Sequence, residues 1–331
     1  MQTTTTATSK QAGQIKNLSA LIYGLKSELS KVIVGQQKAI DALIVAVLCN
    51  GHVLLEGVPG VAKTTMVKAL TDALGLDFKR IQFTPDLLPS DLIGSLIYDQ
   101  KSQDFLTKKG PLFSNLILAD EINRAPAKVQ SALLEAMEEK QVTIGTNTYP
   151  LPRPFLVFAT QNPVEQEGTY RLPEAQVDRF LFKVNIDYPS AQDEKEILRL
   201  SSGNTEKIIP VMQAEELLEA QQGIQNVYVD DKVVDYITTI VQATRYPKNH
   251  NLDELDQLIE CGASPRATLG LYKASQAQAM VQGRHFVTPD DVKAIVHATL
   301  RHRITTTYQA EVSGMTAHDC ITKIISKVPS P

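Results

Sequence analysis

The stretch His52-Val-Leu-Leu-Glu56-Gly57-Val-Pro-Gly60-Val-Ala62-Lys63-Thr64 decides the reading of this chain. Its first five residues have the apolar character of a buried strand, and Lys63 to Leu74 repeats with helical periodicity. A strand, a glycine-bearing loop and a helix in that order form the context of a phosphate loop. Gly57 and Gly60 would let the backbone fold around phosphates with its N–H groups inward, helped by the helix N-terminus. Lys63 would reach the β- and γ-phosphates and the Thr64 hydroxyl would hold Mg²⁺, with Val58, Val61 and Thr65 completing the nucleotide-binding loop. Ala62 stands where the general pattern has glycine. Placed in the first helical turn it is expected to have negative φ, because a positive φ would strain a residue bearing a methyl group. A plain Gly-Pro turn before a helix is the competing reading; the Lys-Thr ending favours nucleotide.

Working outward, Phe78–Phe83, Leu116–Asp120, Phe155–Thr160 and Phe182–Ile186 read as four more strands, separated by amphipathic helical patterns. Strands alternating with helices predict a parallel sheet, whose ligands collect beyond the carboxyl ends of the strands. Leu118-Ala-Asp120-Glu121 ends one such strand. Asp120 can hold Mg²⁺ through its water shell, and Glu121 can polarise an attacking water, the feature that adds hydrolysis to binding. Asn162, after the next strand in Ala159-Thr-Gln-Asn-Pro163, can orient water or contact the γ-phosphate, although Asn-Pro is also an ordinary turn. Arg179 lies near the end of a short helix in Pro173-Glu-Ala-Gln-Val-Asp-Arg-Phe180, and is expected to project away from its own chain's site. Arg266 opens a helix in Gly262-Ala-Ser-Pro-Arg266, with Ser264 as N-cap and Pro265 at the first helical position. Phosphoryl transfer needs positive charge at the γ-phosphate, which gives two fixed arginines a use.

Beyond the Tyr188-Pro189-Ser190 turn nearly everything has helical periodicity. The expected organisation is therefore a leader over 1–17, a nucleotide-binding core over 18–189 and a helical lid over 190–331. Gly94 to Gly110 and Gln141 to Tyr149 interrupt the alternation; a hairpin or a decorative surface loop fits each equally. With 33 basic and 37 acidic side chains the net charge is −4, which is no footprint of a phosphate-backbone binder. Cys49, Cys261 and Cys320 are scattered, so zinc or disulfide chemistry is not expected and a reducing compartment fits. The longest apolar run, Ala42 to Cys49, falls far short of the roughly 18 residues of a membrane span. MQTTTTATSKQAGQ lacks the apolar segment of a signal peptide, and a cytoplasmic location is expected.

Together these residues resemble the AAA+ superfamily and, more narrowly, its MoxR family. The resemblance rests on the phosphate loop and on Ala119-Asp-Glu-Ile-Asn-Arg-Ala125, which runs into Pro126-Ala-Lys-Val-Gln-Ser-Ala-Leu-Leu-Glu-Ala-Met-Glu-Glu139. Ala159-Thr-Gln-Asn-Pro163, Leu172-Pro-Glu-Ala-Gln-Val-Asp-Arg-Phe180 and Gly262-Ala-Ser-Pro-Arg266 extend it, and it spans Val32 to His302. Ala62 is a departure that MoxR members share. The resemblance implies a three-layer α/β/α core with a parallel five-stranded sheet and a small all-α lid. It implies that Val34 and Gly35, with Gln36, line an adenine pocket. It makes 94–110 the helix-2 insert of its clade and 142–149 the hairpin before the sensor strand. It gives Arg179 the arginine-finger position and Arg266 the second-sensor position, acting on ATP and Mg²⁺ in a ring, expected to be a hexamer. The relatives resemble chaperones that mature, or insert metal or cofactor into, a client protein complex, often with a von Willebrand factor A domain protein.

Three functions compete: a remodelling ATPase acting on protein, a nucleic-acid motor of the same clade, and a nucleotide-gated scaffold that hydrolyses little. Only Lys101, Lys108 and Lys109 are basic in the first insert and none is basic from Gln141 to Tyr149, which speaks against nucleic acid. The insert also lacks the Gly-Ala-Phe-Thr-Gly-Ala loop of enhancer-binding activators. An intact Glu121 speaks against the scaffold.

Overall fold

The computed structural model describes residues 18–164, 168–201 and 206–331. The leader expected over residues 1–17 lies outside them. In chain order the strands are β1 (Val53–Glu56), β2 (Phe78–Gln82), β3 (Gly94–Asp99), β4 (Asp104–Lys109), β5 (Leu116–Asp120), β6 (Gln141–Ile144), β7 (Asn147–Pro150), β8 (Leu156–Gln161) and β9 (Phe182–Asn185). Five of them form one sheet in the order β2-β5-β8-β1-β9, with every neighbouring pair parallel. The central strands read as continuous apolar runs because both faces are covered: β5 is buried at all five positions. Edge strand β2, Phe-Lys-Arg-Ile-Gln, is covered less completely: of its five residues only Ile81 is buried.

Side-chain alternation along the strands divides the core into two layers. Val53, Leu55, Leu118 and Phe158 join a cluster with the helices α1 (residues 18–30), α2 (Gln37–Leu48) and α3 (Lys63–Ala73). Leu18, Ile22, Leu25 and Leu29 give α1 a single apolar stripe, the spacing that lets one helical face lie on the core. Leu54, Ile117, Ala119 and Val157 face the other way and pack beneath α4 (Pro89–Ile93) and α5 (Ala127–Glu139). A single turn of helix, α6 (Glu174–Val177), leads into β9.

After β9 come α7 (Ala191–Ser201), α8 (Ala214–Gly223), α9 (Asp231–Arg245), α10 (Asp253–Asp256), α11 (Pro265–Val281), α12 (Pro289–Leu300), α13 (Tyr308–Val312) and α14 (Ala317–Lys327). Among the described residues, a short pairing of Ile259–Cys261 with Thr305–Thr306 and a single bridge between Tyr228 and Phe286 accompany the helices there. Both inserts are hairpins. β3 pairs with β4 across a turn at residues 100–103, and β6 with β7 across residues 145–146. The two touch, since Leu96 lies against Gly145 and Thr107 shares a 3.0 Å hydrogen bond with the Tyr149 hydroxyl.

One buried ring ties the entry of β1 to the exit of α5. Nδ1 of His52 accepts the Val157 N–H at 3.0 Å, which leaves Nε2 to donate to the Met137 carbonyl at 3.2 Å. Burial is the main cause that pushes the imidazole pKa down to about 4, so the ring is neutral in the fold. The unfolded chain protonates this ring near the ordinary 6.5, so between about 6.5 and 4 the unfolded state binds more protons. His52 therefore contributes its full stabilisation above about pH 6.5 and loses it as pH falls toward 4, with a slope of up to about 1.4 kcal/mol per pH unit. His302, drawn well below its ordinary pKa chiefly by burial, acts in the same direction. The expected outcome is a melting temperature that drops between pH 6.5 and 5, above the range where most carboxylates titrate. Calorimetry of His52→Gln should show a shallower drop over the same window.

Candidate functional site

The loop after β1 is held by the strands on either side. The Gly57 N–H donates to the Gln161 carbonyl at 3.3 Å, and a Cβ at Gly57 would lie 2.5 Å from the Ile186 carbonyl oxygen. That close approach admits only glycine. Gly60 needs glycine for a different reason: its φ is +86° while a Cβ there would meet nothing. The N–H groups of Gly60, Val61, Ala62, Lys63 and Thr64 donate no hydrogen bond among the described residues, as an anion cradle requires. The Lys63 ammonium is folded back onto the Gly57 and Val58 carbonyls. Burial is the larger influence on it and lowers its pKa, against the pull of Asp120, Glu121 and Glu56.

Ala62 corrects the sequence expectation. Its φ is +60° rather than negative, and it is the N-cap of α3, not a residue of its first turn. Its carbonyl accepts the Met66 N–H at 2.9 Å, so the chain must turn sharply here to start the helix, and a left-handed residue makes that turn. Ala62 is exposed, and its left-handed backbone costs about 1–2 kcal/mol in local sterics.

The carboxyl ends of β5 and β8 stand beside this loop. Asp120 Oδ1 accepts the Thr160 hydroxyl at 2.5 Å, and the same hydroxyl oxygen accepts the Glu121 N–H at 2.8 Å. Asp120 Oδ2 accepts two hydrogen bonds from the Arg80 guanidinium, at 3.0 and 2.6 Å. Glu121 has φ +55°, a left-handed conformation that costs a non-glycine residue backbone strain. Its Oε2 accepts from Gln82 at 2.7 Å and pairs with Arg124 at 3.0 Å. Asn162 follows β8 directly, and its Oδ1 accepts the Val164 N–H at 3.2 Å. Lys63, Thr64, Asp120, Glu121 and Asn162 are thus brought to one edge of the sheet.

Arg80, Gln82 and Thr160 belong to this site and were missed in the sequence. The signal was present in β2: residues 80 and 82 share a face at the two-residue period, and register sets Gln82 opposite Asp120. Thr64 and Asp120 supply oxygen only, and no cluster of three metal-ligating side chains occurs among the described residues. Two hard oxygen donors fit Mg²⁺, which keeps several waters and takes phosphate oxygens for the rest. On the far side of the loop, the Val34-Gly35-Gln36 segment is tied to the lid junction. Gln36 donates to the Asp187 carbonyl at 2.8 Å, and the Asp193 carboxylate lies against Gly35.

The two arginines lie elsewhere. The Leu181 N–H donates to the His52 carbonyl, so the residues just before β9 sit beyond the amino end of β1, opposite the phosphate loop. With β1 about 3.3 Å per residue, His52 and Gly57 are roughly 15 Å apart. Arg179 and Arg266 line a cleft of about 270 Å³ with Gly51, His52, Met137 and Glu138 at that far edge. Ser264 caps α11 by accepting the Arg266 N–H at 3.2 Å, with Pro265 following it. Arg179 Nε pairs with Glu138 Oε2 at 3.0 Å, and Arg266 pairs with the other oxygen of the same carboxylate.

The conformation of Ala62 gives a test. Ala62→Gly removes left-handed strain but loosens the unfolded chain, and the strain term is the larger. The variant should be more stable by about 0.5–1 kcal/mol in denaturant titration; a loss of that size would mean that φ at 62 is negative.

Residues 52–182 match the family described as "ATPase family associated with various cellular activities (AAA)", and residues 254–324 match the AAA lid domain. The chain is 45% identical over 322 residues to Chaperone MoxR1 of Mycobacterium tuberculosis, covering 96% of this chain and 85% of that one. It is 45% identical over 318 residues to YeaC of Bacillus subtilis, covering 96% and 97%, and 30% identical over 307 residues to Protein MoxR of Paracoccus denitrificans, covering 88% and 90%. A crystal structure of a Cytophaga hutchinsonii protein aligns with a TM-score of 0.91 at 46% identity, covering 98% of each chain. With a five-stranded parallel sheet, the phosphate loop after its first strand and a helical lid, the chain belongs to the MoxR family of AAA+ ATPases.

Proposed function

We propose that this protein hydrolyses ATP with Mg²⁺ in a ring of identical subunits and uses the cycle to remodel a partner protein. The carrying observation is the separation of two half-sites. Lys63, Thr64, Asp120, Glu121 and Asn162 occupy the carboxyl edge of the sheet, while Arg179 and Arg266 occupy the amino edge of the same sheet. No side chain spans roughly 15 Å, so the arginines complete the site of the next subunit in a head-to-tail contact that closes into a ring, a hexamer in this reading.

In the reaction, the Gly60–Thr64 amides and Lys63 hold the phosphates. Thr64 and Asp120 would hold Mg²⁺, which when bound would supply charge neutralisation at the phosphate oxygens. Glu121 takes the proton of the attacking water through its carboxylate, and Asn162 orients that water. Before this, Lys63 leaves the Gly57 and Val58 carbonyls and Glu121 leaves Gln82 and Arg124. The neighbour's arginines meet the γ-phosphate only when the interface is shut, which couples hydrolysis to assembly.

A protein client is supported by the first insert. Leu96, Ile97, Tyr98, Phe105 and Leu106 on β3 and β4 are all exposed, against only three lysines, a balance suited to protein rather than to a phosphate backbone. A von Willebrand factor A domain protein as partner, and metal or cofactor insertion as the outcome, extend the reading to the family's habits. The scattered spacing of the three cysteines fits a reducing, cytoplasmic setting. No helix of the described residues is long and apolar enough to cross a membrane.

Glu121→Gln should keep ATP binding and lose on the order of a hundredfold or more in steady-state turnover, the scale of a lost general base. Turnover near wild type would remove Glu121 from its role. Lys63→Ala and Arg179→Ala should each be inactive alone and regain activity when mixed, at interfaces that pair an intact Lys63 with an intact Arg179. Co-assembled mutants that stay inactive would place Arg179 outside the neighbour's site.

A further inference from the structure

The cleft at the amino edge of the sheet holds three arginines and two carboxylates, and their pairing is uneven. Arg303 is buried and fully used. Its Nε donates to Asp178 Oδ1 at 2.7 Å, and its terminal nitrogens donate to the carbonyls of Asp178, Phe180, Leu181 and Thr299. Asp178 is engaged in turn, since its other oxygen accepts the Ser264 hydroxyl at 2.8 Å. That leaves Arg179 and Arg266 with one carboxylate between them, Glu138. Two guanidiniums balanced by one anion leave an unmatched positive charge. Apart from the nitrogen that each gives to Glu138, their guanidinium N–H groups make no hydrogen bond among the described residues.

The division of the contact is equally informative. Each oxygen of Glu138 takes a different arginine, Oε2 the Nε of Arg179 and Oε1 the Nη2 of Arg266. One planar carboxylate thereby fixes the spacing and the relative tilt of two like charges that would otherwise push apart. The backbone beneath is fixed too. His52 holds the Met137 carbonyl, one residue before Glu138. Asp178, one residue before Arg179, joins the N-cap of α11 to Arg303. Core and lid arginines are therefore presented as one unit.

We propose that Glu138 is a positioning residue that clamps Arg179 and Arg266 side by side into a two-pronged receptor for the terminal phosphate of a nucleotide bound to a second copy of this chain. The carboxylate remains in place during the reaction and the unpaired guanidinium N–H groups meet the phosphate. This rests on the reading that the arginines act in trans.

The test uses the full chain. Glu138→Ala should lower kcat at least tenfold while binding of a fluorescent ATP analogue and the melting temperature stay near wild type. Glu138→Asp, which keeps the charge on a shorter stem, should recover part of the loss, and Glu138→Gln, which keeps shape but turns one acceptor into a donor, should not. Glu138→Ala mixed with Lys63→Ala should regain activity as Arg179→Ala does, because its defect lies in the neighbour's site. The proposal is overturned if Glu138→Ala and Glu138→Gln both turn over within twofold of wild type. It is overturned equally if mixing with Lys63→Ala restores nothing. When Arg179→Ala complements Lys63→Ala and Glu138→Ala does not, only the role of Glu138 falls. When Arg179→Ala fails to complement as well, the trans reading falls with it.

Discussion

A parallel sheet has two unlike edges, and much of what this molecule can do follows from that constraint. Every strand of the five ends at the same edge, so the polar residues that terminate β1, β5 and β8 meet there without any long-range device. The returning helices must then end at the opposite edge. There α5 delivers Glu138, and the segment before β9 delivers Arg179. In this structure the two groups of residues stand at opposite edges of the sheet, and neither reaches the other. In the proposed ring, this separation inside one subunit becomes the reason for contact between two.

At the carboxyl edge the fold meets each charge with a local partner. Asp120 sits buried between the Thr160 hydroxyl and the Arg80 guanidinium, and an isolated carboxylate in that position would be costly. Arg80 comes from the exposed edge strand, where a long side chain can swing away at little cost in packing. Lys63 and Glu121 are likewise held by local partners, the loop carbonyls and the Gln82 amide. Each of these contacts is one that phosphate, metal or water can replace with a stronger one. Two residues of this edge, Ala62 and Glu121, also hold left-handed backbone without being glycine. Strain of this kind persists only where the surroundings over-determine it; here α3 begins directly after Ala62 and β5 ends directly before Glu121.

The amino edge is built differently, with depth rather than exchangeability. Arg303 spends every N–H on Asp178 and four carbonyls and joins the lid to the sheet. Removing either partner would strand a buried charge, which makes this a structural pair. Glu138, Arg179 and Arg266 rest on that base but remain partly exposed. The two inserts leave the body of the core as hairpins, joined through Leu96, Gly145, Thr107 and Tyr149.

The sequence by itself determined the five strands nearly to the residue, the phosphate loop, the Asp120-Glu121 pair and the helical second half. These are properties of local pattern: apolar runs that need two covered faces, glycines at a turn, a capping serine before a proline. It also showed that two inserts interrupt the alternation, while leaving open whether they paired. Only the tertiary structure decided the sign of φ at Ala62, because the loop's turn depends on where β8 and β9 hold Gly57. Only it revealed Arg80, Gln82 and Thr160 as members of the site, since hydrogen bonds across neighbouring strands depend on register that no single segment encodes. The same holds for Glu138. Within its helix it is one acidic residue among several, and what distinguishes it is that α5 ends where two arginines from distant parts of the chain arrive.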